Sequence, residues 1–392
     1  MARFVDRRWD GDPAAHGGRR ARASFTYQAF IPDPIETIDP PTTFEAAEAV
    51  AAAEQAVREL NASRSVTGLE AIGALLLRSE AIASSRIEGY ELSQRNLAKA
   101  LIDPRAARGT ARTVAANVVA MEEAIALGEA ERSLVGDDIR AIHRSLMVGE
   151  PDHVTPGLYR REQNWIGGRL DSPLDAHYIP PPEEEIERLM GDLLAFVNRD
   201  DLPGVAQAAI AHAQFETIHP FLDGNGRVGR CLIHVVLRRR GVAPRFVPPV
   251  SVVLAARASQ YITGLVGFRE GRVSEWCASF AGACRRASQV STELATEIAK
   301  LGADWYERAG RPRRDSAAAR IITALPAQPI TSAATIRAAI GASHQRALDG
   351  LKVLSETGVV RQITEGGYDR QFAADELFTL IEEYEQRVAT AA

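Results

Sequence analysis

"HPFLDGNGRVGR", residues 219–230, sets one imidazole, one carboxylate, three glycines, one asparagine and two arginines between two apolar segments. Upstream, "IAHAQFETI" (210–218) carries Ile210, Phe215 and Ile218 at spacings that suit the buried face of a helix. Pro220 cannot continue that helix, so His219 falls at its C-terminus. Downstream, Val228, Cys231, Leu232 and Val235 share one face of a second helix, predicted to begin at Arg227. "DGNG" is then the turn that joins the two and supplies the second helix's N-terminus.

A glycine-rich turn that opens a helix leaves backbone N–H groups pointing outward, and such a site binds anions, phosphate above all. Glycine suits it because a Cβ would block the approach of the backbone. Arg227 and Arg230 are three apart and share a face, and planar guanidinium groups match phosphate oxygens. Asp223 offers a hard oxygen ligand of the kind Mg²⁺ uses beside phosphates. His219 carries a group suited to taking a proton near neutral pH. Taken singly, each feature has a plainer reading: a structural histidine, a surface turn, a solvated arginine face. A calcium loop is excluded because its flanking ligands and closing glutamate are missing. Together in one window, the features predict a nucleotide-phosphate cradle with a general base opposite it.

The stretch resembles the signature of the Fic family, His-x-Phe-x-Asp/Glu-Gly-Asn-Gly-Arg-x-x-Arg, at every specified position. "PGLYRREQNWIGG" (156–168) and "YIPPP" (178–182) resemble the region that leads into and forms the family's β-hairpin flap. "AHAQFETIHPFLDGNGR" (211–227) and "FTYQAFIPDP" (25–34) resemble one large bacterial branch, which often ends in a winged helix. The resemblance covers about three-quarters of the chain. It implies a mainly α protein: a Fic-type helical bundle with a small β-hairpin flap, followed by a C-terminal winged helix-turn-helix domain.

It also implies an activity, protein adenylylation, in which AMP moves from ATP to a serine, threonine or tyrosine hydroxyl of a target protein or of the enzyme itself. By position, His219 would deprotonate that hydroxyl and Asp223 would hold Mg²⁺. Backbone from Gly224 to Gly226, with Asn225, would form the anion hole. Arg227 and Arg230 would hold the outer phosphates, and Phe221 would anchor the loop in the core. The flap at Ile166, Gly167 and Gly168 and at His177, Tyr178 and Ile179 would clamp the target by strand addition. Relatives often carry Asn-Arg followed by Glu-Tyr-Tyr where this chain reads "ARASQYI" (256–262), and only Tyr261 matches as a nucleotide-binding residue. Transfer of UMP, phosphate or phosphocholine is the alternative chemistry for the same site.

Far upstream, "SSRIEG" (84–89) resembles the family's inhibitory motif, Ser/Thr-x-x-x-Glu-Gly/Asn. Ser84 and Glu88 are four apart on one helix face, and Gly89 suits the position just past the helix end. The implied role is a charge-assisted hydrogen bond between Glu88 and Arg230 that takes Arg230 from ATP. In some relatives the same glutamate positions water for AMP removal, so a de-adenylylase is a further reading.

Composition sets the outer limits. With 46% hydrophobic and 25% charged residues over 392 positions, the chain can bury a sizeable core in two or three domains. A net charge of −5 supplies no global field for nucleic acid or anionic membrane. Cys231, Cys277 and Cys284 form no disulfide framework, and the N-terminus lacks a secretory pattern, which together predict a cytoplasmic protein.

Residues 1–40 read as an irregular extended arm. Helical patterns follow, with Thr43 a candidate N-cap and Leu69, Ile72, Leu76 and Ser79 sharing a face. The expected division is an N-terminal arm and helices with the inhibitory helix (1–110), a catalytic domain (111–308) and a winged helix (313–392), whose wing turns at a Gly-Gly tip. A winged helix raises a competing class, a DNA-binding regulator with a Fic sensor domain. Residues 313–392 hold nine basic and ten acidic residues, a poor balance for phosphate neutralisation, which favours protein contact. The partners expected are a target protein and a second copy of the chain. DNA at the winged helix is the alternative partner, and no membrane is expected.

Overall fold

A computed structural model of the chain describes residues 2–11, 19–39, 43–62, 69–148, 154–169, 171–364 and 370–390. The protein is mainly α. Two antiparallel strands, β1 (Arg3–Trp9) and β2 (Phe25–Ile31), precede helices α1 (Phe44–Ala62), α2 (Leu69–Ile87), α3 (Gln94–Ile102), α4 (Gly109–Glu129) and α5 (Gly136–Leu146). After an irregular stretch come α6 (Ile186–Val197), α7 (Gly204–Ile218), α8 (Asn225–Arg239), α9 (Val250–Ala256) and α10 (Ala258–Arg269). The 36-residue α11 (Val273–Arg308) closes the bundle. At about 1.5 Å per residue it is long enough to back both α1 and α7.

The centre is the antiparallel pair α7 and α8. Nearly every residue of α7 is buried, because α1, α6, α8, α10 and α11 all pack around it. Such a helix needs small residues at its crossings, and "GVAQAAIAHAQFETI" supplies them. α4 crosses α8 on its other side, and α2 lies against α4, α9 and α8. The ends of α2 and α7 and the start of α8 therefore meet.

The segment expected as an irregular arm differs. Residues 3–9 and 25–31 form a full ladder, from Arg3 opposite Ile31 to Trp9 opposite Phe25. The reason is a period of two: Val5, Arg7 and Trp9 alternate with more exposed neighbours, as do Phe25, Tyr27 and Ala29. The flap hairpin is shorter than its sequence suggests, a single antiparallel bridge between Ile166 and Tyr178. Pro180, Pro181 and Pro182 lack the N–H groups that would extend it. Gly168, at φ +71°, is required there, since a Cβ would lie 2.6 Å from the Asp175 carbonyl oxygen.

Beyond α11 the elements run α12 (Ala317–Ala324), β3 (Ile330–Ser332), α13 (Ala333–Ile340), α14 (His344–Glu356), β4 (Arg361–Gln362), β5 (Gln371–Ala373) and α15 (Asp375–Thr390). The strands form an antiparallel sheet in the order β3-β5-β4. The expected Gly-Gly tip lies outside the described residues. This unit is not set apart from the bundle. Its Leu351, Ile381 and Tyr384 belong to the same continuous core as Phe215 and Phe221. Ala98 and Ile102 of α3 join Ile330, Ala373 and Phe378 in a second cluster. No single helix among the described residues is long and apolar enough to cross a membrane.

Candidate active site

α7 ends at His219, which takes the left-handed conformation at φ 50° and ψ 59°. That conformation costs a non-glycine residue about 1–3 kcal/mol unless its surroundings hold it. Here Arg160 does so. Its Nε donates to the His219 carbonyl and its backbone N–H to the Pro220 carbonyl, both at 2.9 Å. The same guanidinium donates to the carbonyls of Glu162 and Pro181, tying the flap region to the loop. The sequence reading did not single out Arg160; its position in "LYRRE" inside the flap-like stretch was the available signal.

The turn is closed by its own residues. Asn225 Oδ1 accepts the Phe221 N–H and Nδ2 donates to the Phe221 carbonyl, both at 2.8 Å. Asn164 donates to that carbonyl as well. The Asn225 side chain is thus spent on loop closure, and it is the backbone that is left to form an anion hole. α8 begins at Asn225, two residues before the expected Arg227, because Gly224 at φ +78° serves as the N-cap. Phe221 is fully buried, stacked on His143 with centroids 3.8 Å apart and rings at 4°. His143 Nδ1 accepts the Gly157 N–H at 2.8 Å, so Nε2 bears the proton and donates to the Asp223 carbonyl at 3.2 Å. Burial pushes its pKa down to about 4, which keeps that tautomer neutral. His143 also escaped the sequence reading.

His219 is likewise pushed down to about 4, first by burial and then by the Arg160 charge. It is therefore a neutral imidazole at pH 7, able to accept a proton. Asp223 sits at the mouth, its side chain 48% exposed. One carboxylate oxygen accepts the Gly224 N–H at 2.6 Å and lies 4.0 Å from Arg227. Among the described residues no group of three or more histidine, cysteine, aspartate or glutamate side chains is arranged to hold a metal. A single exposed carboxylate still fits Mg²⁺, which keeps several waters and takes its other ligands from substrate phosphates.

Arg227 and Arg230 are each 1% exposed. Arg227 lies over the Tyr90 ring, 5.0 Å from its centroid. Arg230 Nε donates to Ser84 Oγ, and its terminal nitrogen to the Ser84 carbonyl, both at 2.8 Å. The same nitrogen donates to Glu88 Oε1 at 2.7 Å. Burial works to raise the Glu88 pKa, but Arg230, with Arg227 and His219 behind it, holds it below the ordinary value. Gly89 follows at φ +85° and turns the chain out of α2. A Cβ at Gly226 would lie 2.0 Å from Glu88 Oε1. The Glu88 carboxylate thus lies against the first turn of α8.

Two expected groups lie outside the turn itself. Tyr261 is 5% exposed, its ring stacked on His212 and its hydroxyl 2.9 Å from His212 Nε2, and Arg230 lies beside it. In the flap, Ile166 is exposed, and His177 N–H donates to its carbonyl at 2.8 Å. Tyr178 Oη donates to the Thr217 carbonyl at 2.7 Å, and Arg269 lies 3.9 Å over the Tyr178 ring. Ile179 accepts the Phe30 N–H at 3.0 Å, so β2 already occupies that flap edge.

Residues 134–237 match the Fic/DOC family. Over 114 residues the chain is 36% identical to a protein of Drosophila erecta named Protein adenylyltransferase Fic, and 35% identical to its Drosophila melanogaster counterpart. Each match covers 28% of this chain and only 21% of the relative. Among solved structures, a Fic family protein from Desulfovibrio desulfuricans is similar at TM-score 0.52 and 23% identity, covering 86% of this chain and 98% of that one. A Fic domain containing signaling protein from Bacteroides thetaiotaomicron is similar at TM-score 0.53 and 19% identity, over 64% of this chain and 97% of that one. At these identities the two structures speak for the fold.

Proposed function

We propose that this chain, which belongs to the Fic/DOC family through its domain at residues 134–237, transfers AMP from ATP to a hydroxyl side chain of a target protein. The observation that carries the reading is the juxtaposition of a neutral His219 at the end of one helix with an anion cradle at the start of the next. His219 takes the hydroxyl proton as the oxygen bonds to the α-phosphorus, and the bond to the β-phosphate oxygen breaks to release pyrophosphate. The Asn225 and Gly226 backbone N–H groups face the charge that develops on the phosphate, with that of Gly224 joining them once Asp223 turns to its metal, and Arg227 and Arg230 serve the leaving group. Asp223 would hold Mg²⁺, which when bound neutralises phosphate charge. The loop is closed by its own hydrogen bonds, so most of the catalysis is positioning.

The resting enzyme is self-inhibited. Glu88 occupies both the Arg230 guanidinium and the anion position over Gly226, so ATP must displace it or bind out of line. De-adenylylation, with Glu88 directing water, is the alternative on the same residues. The C-terminal unit is read as a winged helix used for protein contact. Its support is that it already contacts the bundle: Arg95 of α3 pairs with Asp375 at 2.7 Å and lies over Phe378.

The test is labelling of host lysate with ATP and Mg²⁺ by wild type, Glu88→Gly and His219→Ala, with mass spectrometry of the labelled proteins. The expected result is AMP on hydroxyl side chains, weak with wild type, strong with Glu88→Gly and absent with His219→Ala. A modification other than AMP would overturn the reading.

A further inference from the structure

The reaction leaves a positive charge on His219, in a place where burial opposes it. One turn earlier on α7 stands Glu216, whose Oε2 lies 3.9 Å from His219 Nδ1. The two side chains are 12% and 17% exposed. Glu216 Oε1 and His219 Nδ1 are both buried, and neither has a hydrogen-bond partner among the described residues. Nδ1 also lies beside the Glu216 backbone carbonyl, whose field favours a charged ring, without hydrogen-bond geometry to it. An unpaired buried polar group is costly, and an apolar residue at 216 would avoid that cost.

The space around Glu216 is shaped for a carboxyl. α8 approaches it at Gly229, where a Cβ would lie 2.8 Å from Oε1 and 3.1 Å from His212 Nδ1. Of the charged groups facing it, Arg230 of α8 and Arg269 of α10 favour the ionised form, and Glu88 beyond α2 opposes it. Tyr261 of α10 and His212 of α7 are the other titratable neighbours. Burial is the largest influence and pushes the carboxyl up to about 7, so it changes charge in the neutral range.

We propose that Glu216 is a positioning residue for His219. Its carboxylate draws the ring proton to Nδ1, leaves Nε2 free to accept the hydroxyl proton, and pairs with the imidazolium that results. The bookkeeping is simple: one proton moves from the target hydroxyl to Nε2, and the Nδ1 proton stays in place in a charge-assisted hydrogen bond to Glu216. The proposal rests on His219 acting as the base. Below the pH at which Glu216 ionises this support is missing, and above it the support is present, so transfer should rise with pH through the neutral range.

The experiment compares Glu88→Gly with Glu88→Gly/Glu216→Gln and Glu88→Gly/Glu216→Asp, each first shown to be folded by circular dichroism. The turnover number is followed from about pH 5.5 to 8.5. The expected result is a rise with pH as Glu216 ionises, displaced below neutrality because Glu88 no longer opposes that charge, and retained at lower rate with aspartate. With glutamine the rise is lost and turnover at pH 8 is about tenfold to a hundredfold lower, with the KM for ATP unchanged. An unchanged rise in the glutamine variant overturns the proposal. A second readout needs no activity: ¹⁵N shifts of the His219 imidazole in otherwise wild-type protein at about pH 8. The Nδ1-protonated tautomer is expected with Glu216 and a mixture with Glu216→Gln. The same tautomer in both overturns the positioning role, whereas absence of AMP transfer alone would overturn the activity and leave this readout standing.

Discussion

The loop at 219–230 and the helix end at 84–89 meet at Arg230, yet they are built in opposite ways. The loop is closed by groups four residues apart, Asn225 on Phe221, and braced by Arg160 and His143. The contacts that Ser84 and Glu88 make with Arg230 span 146 and 142 residues of chain. They exist only while α2 is docked. Buried Glu80 helps to dock it, accepting the Ser251 N–H at 2.7 Å and lying 3.3 Å from His234 Nε2. Asn117 adds hydrogen bonds at 3.1 Å to the Ala81 carbonyl and Ser85 Oγ. From the C-terminal unit, Glu385 lies 3.6 Å from Arg86 and accepts from Gln94 at 3.0 Å. If Glu88 restrains the site as proposed, the difference separates a cradle held by its own loop from a restraint held by a distant helix.

Changes on the two sides should therefore behave differently. The largest effect is expected from His219→Ala in the Glu88→Gly background: transfer falls by about a hundredfold to ten-thousandfold or more, while nucleotide binding by calorimetry persists. Next, Glu88→Gly alone should raise transfer at least about tenfold, the ratio that about 1.4 kcal/mol of competition for Arg230 sets. Asn225→Ala should instead damage the loop. It leaves the buried Phe221 N–H unpaired at a cost of about 1–3 kcal/mol, read as a fall in Tm together with lost activity. The smallest change is expected from Glu385→Ala, since partly exposed pairs contribute about 0–1 kcal/mol. Basal transfer should rise no more than about fivefold, with nucleotide contacts intact.

The Glu88–Arg230 pair also has a pH signature of defined sign. The Glu88 pKa is lowered in the folded protein. Its contribution is therefore complete above the ordinary value of 4.5 and is lost as pH falls through the lowered one. The difference in Tm between wild type and Glu88→Gln should be flat from about pH 6 to 8 and shrink only in acid. A difference that vanished near neutrality would show that the Glu88–Arg230 pair does not hold the charge assigned to it.

The same contrast explains what could be read in advance. The turn and the helix end at His219 were legible because their determinants lie within a dozen residues, whereas the burial of Phe221 came from resemblance. The start of α8 was misplaced by two residues because the left-handed Gly224 cap is a property of the backbone, not of the apolar pattern. The Glu88–Arg230 contact came only from resemblance, since no spacing rule links positions so far apart. Arg160, His143 and Glu216 went unnoticed for the same reason: each is an ordinary polar residue until the fold sets it against His219 or its loop. Tyr261, expected at the nucleotide from resemblance alone, packs on His212 and Trp276 with Arg230 beside it. The N-terminal ladder was missed because residues between its strands are rich in glycine and arginine, which masked the alternation on either side.

The most direct measurement follows ATP labelled at the α-phosphate, and separately at the γ-phosphate, with Glu88→Gly and Glu88→Gly/His219→Ala. The account requires protein-bound label from the α-position only, present in the first variant and lost in the second. Label carried from the γ-position, or α-label that survives the loss of His219, would contradict it.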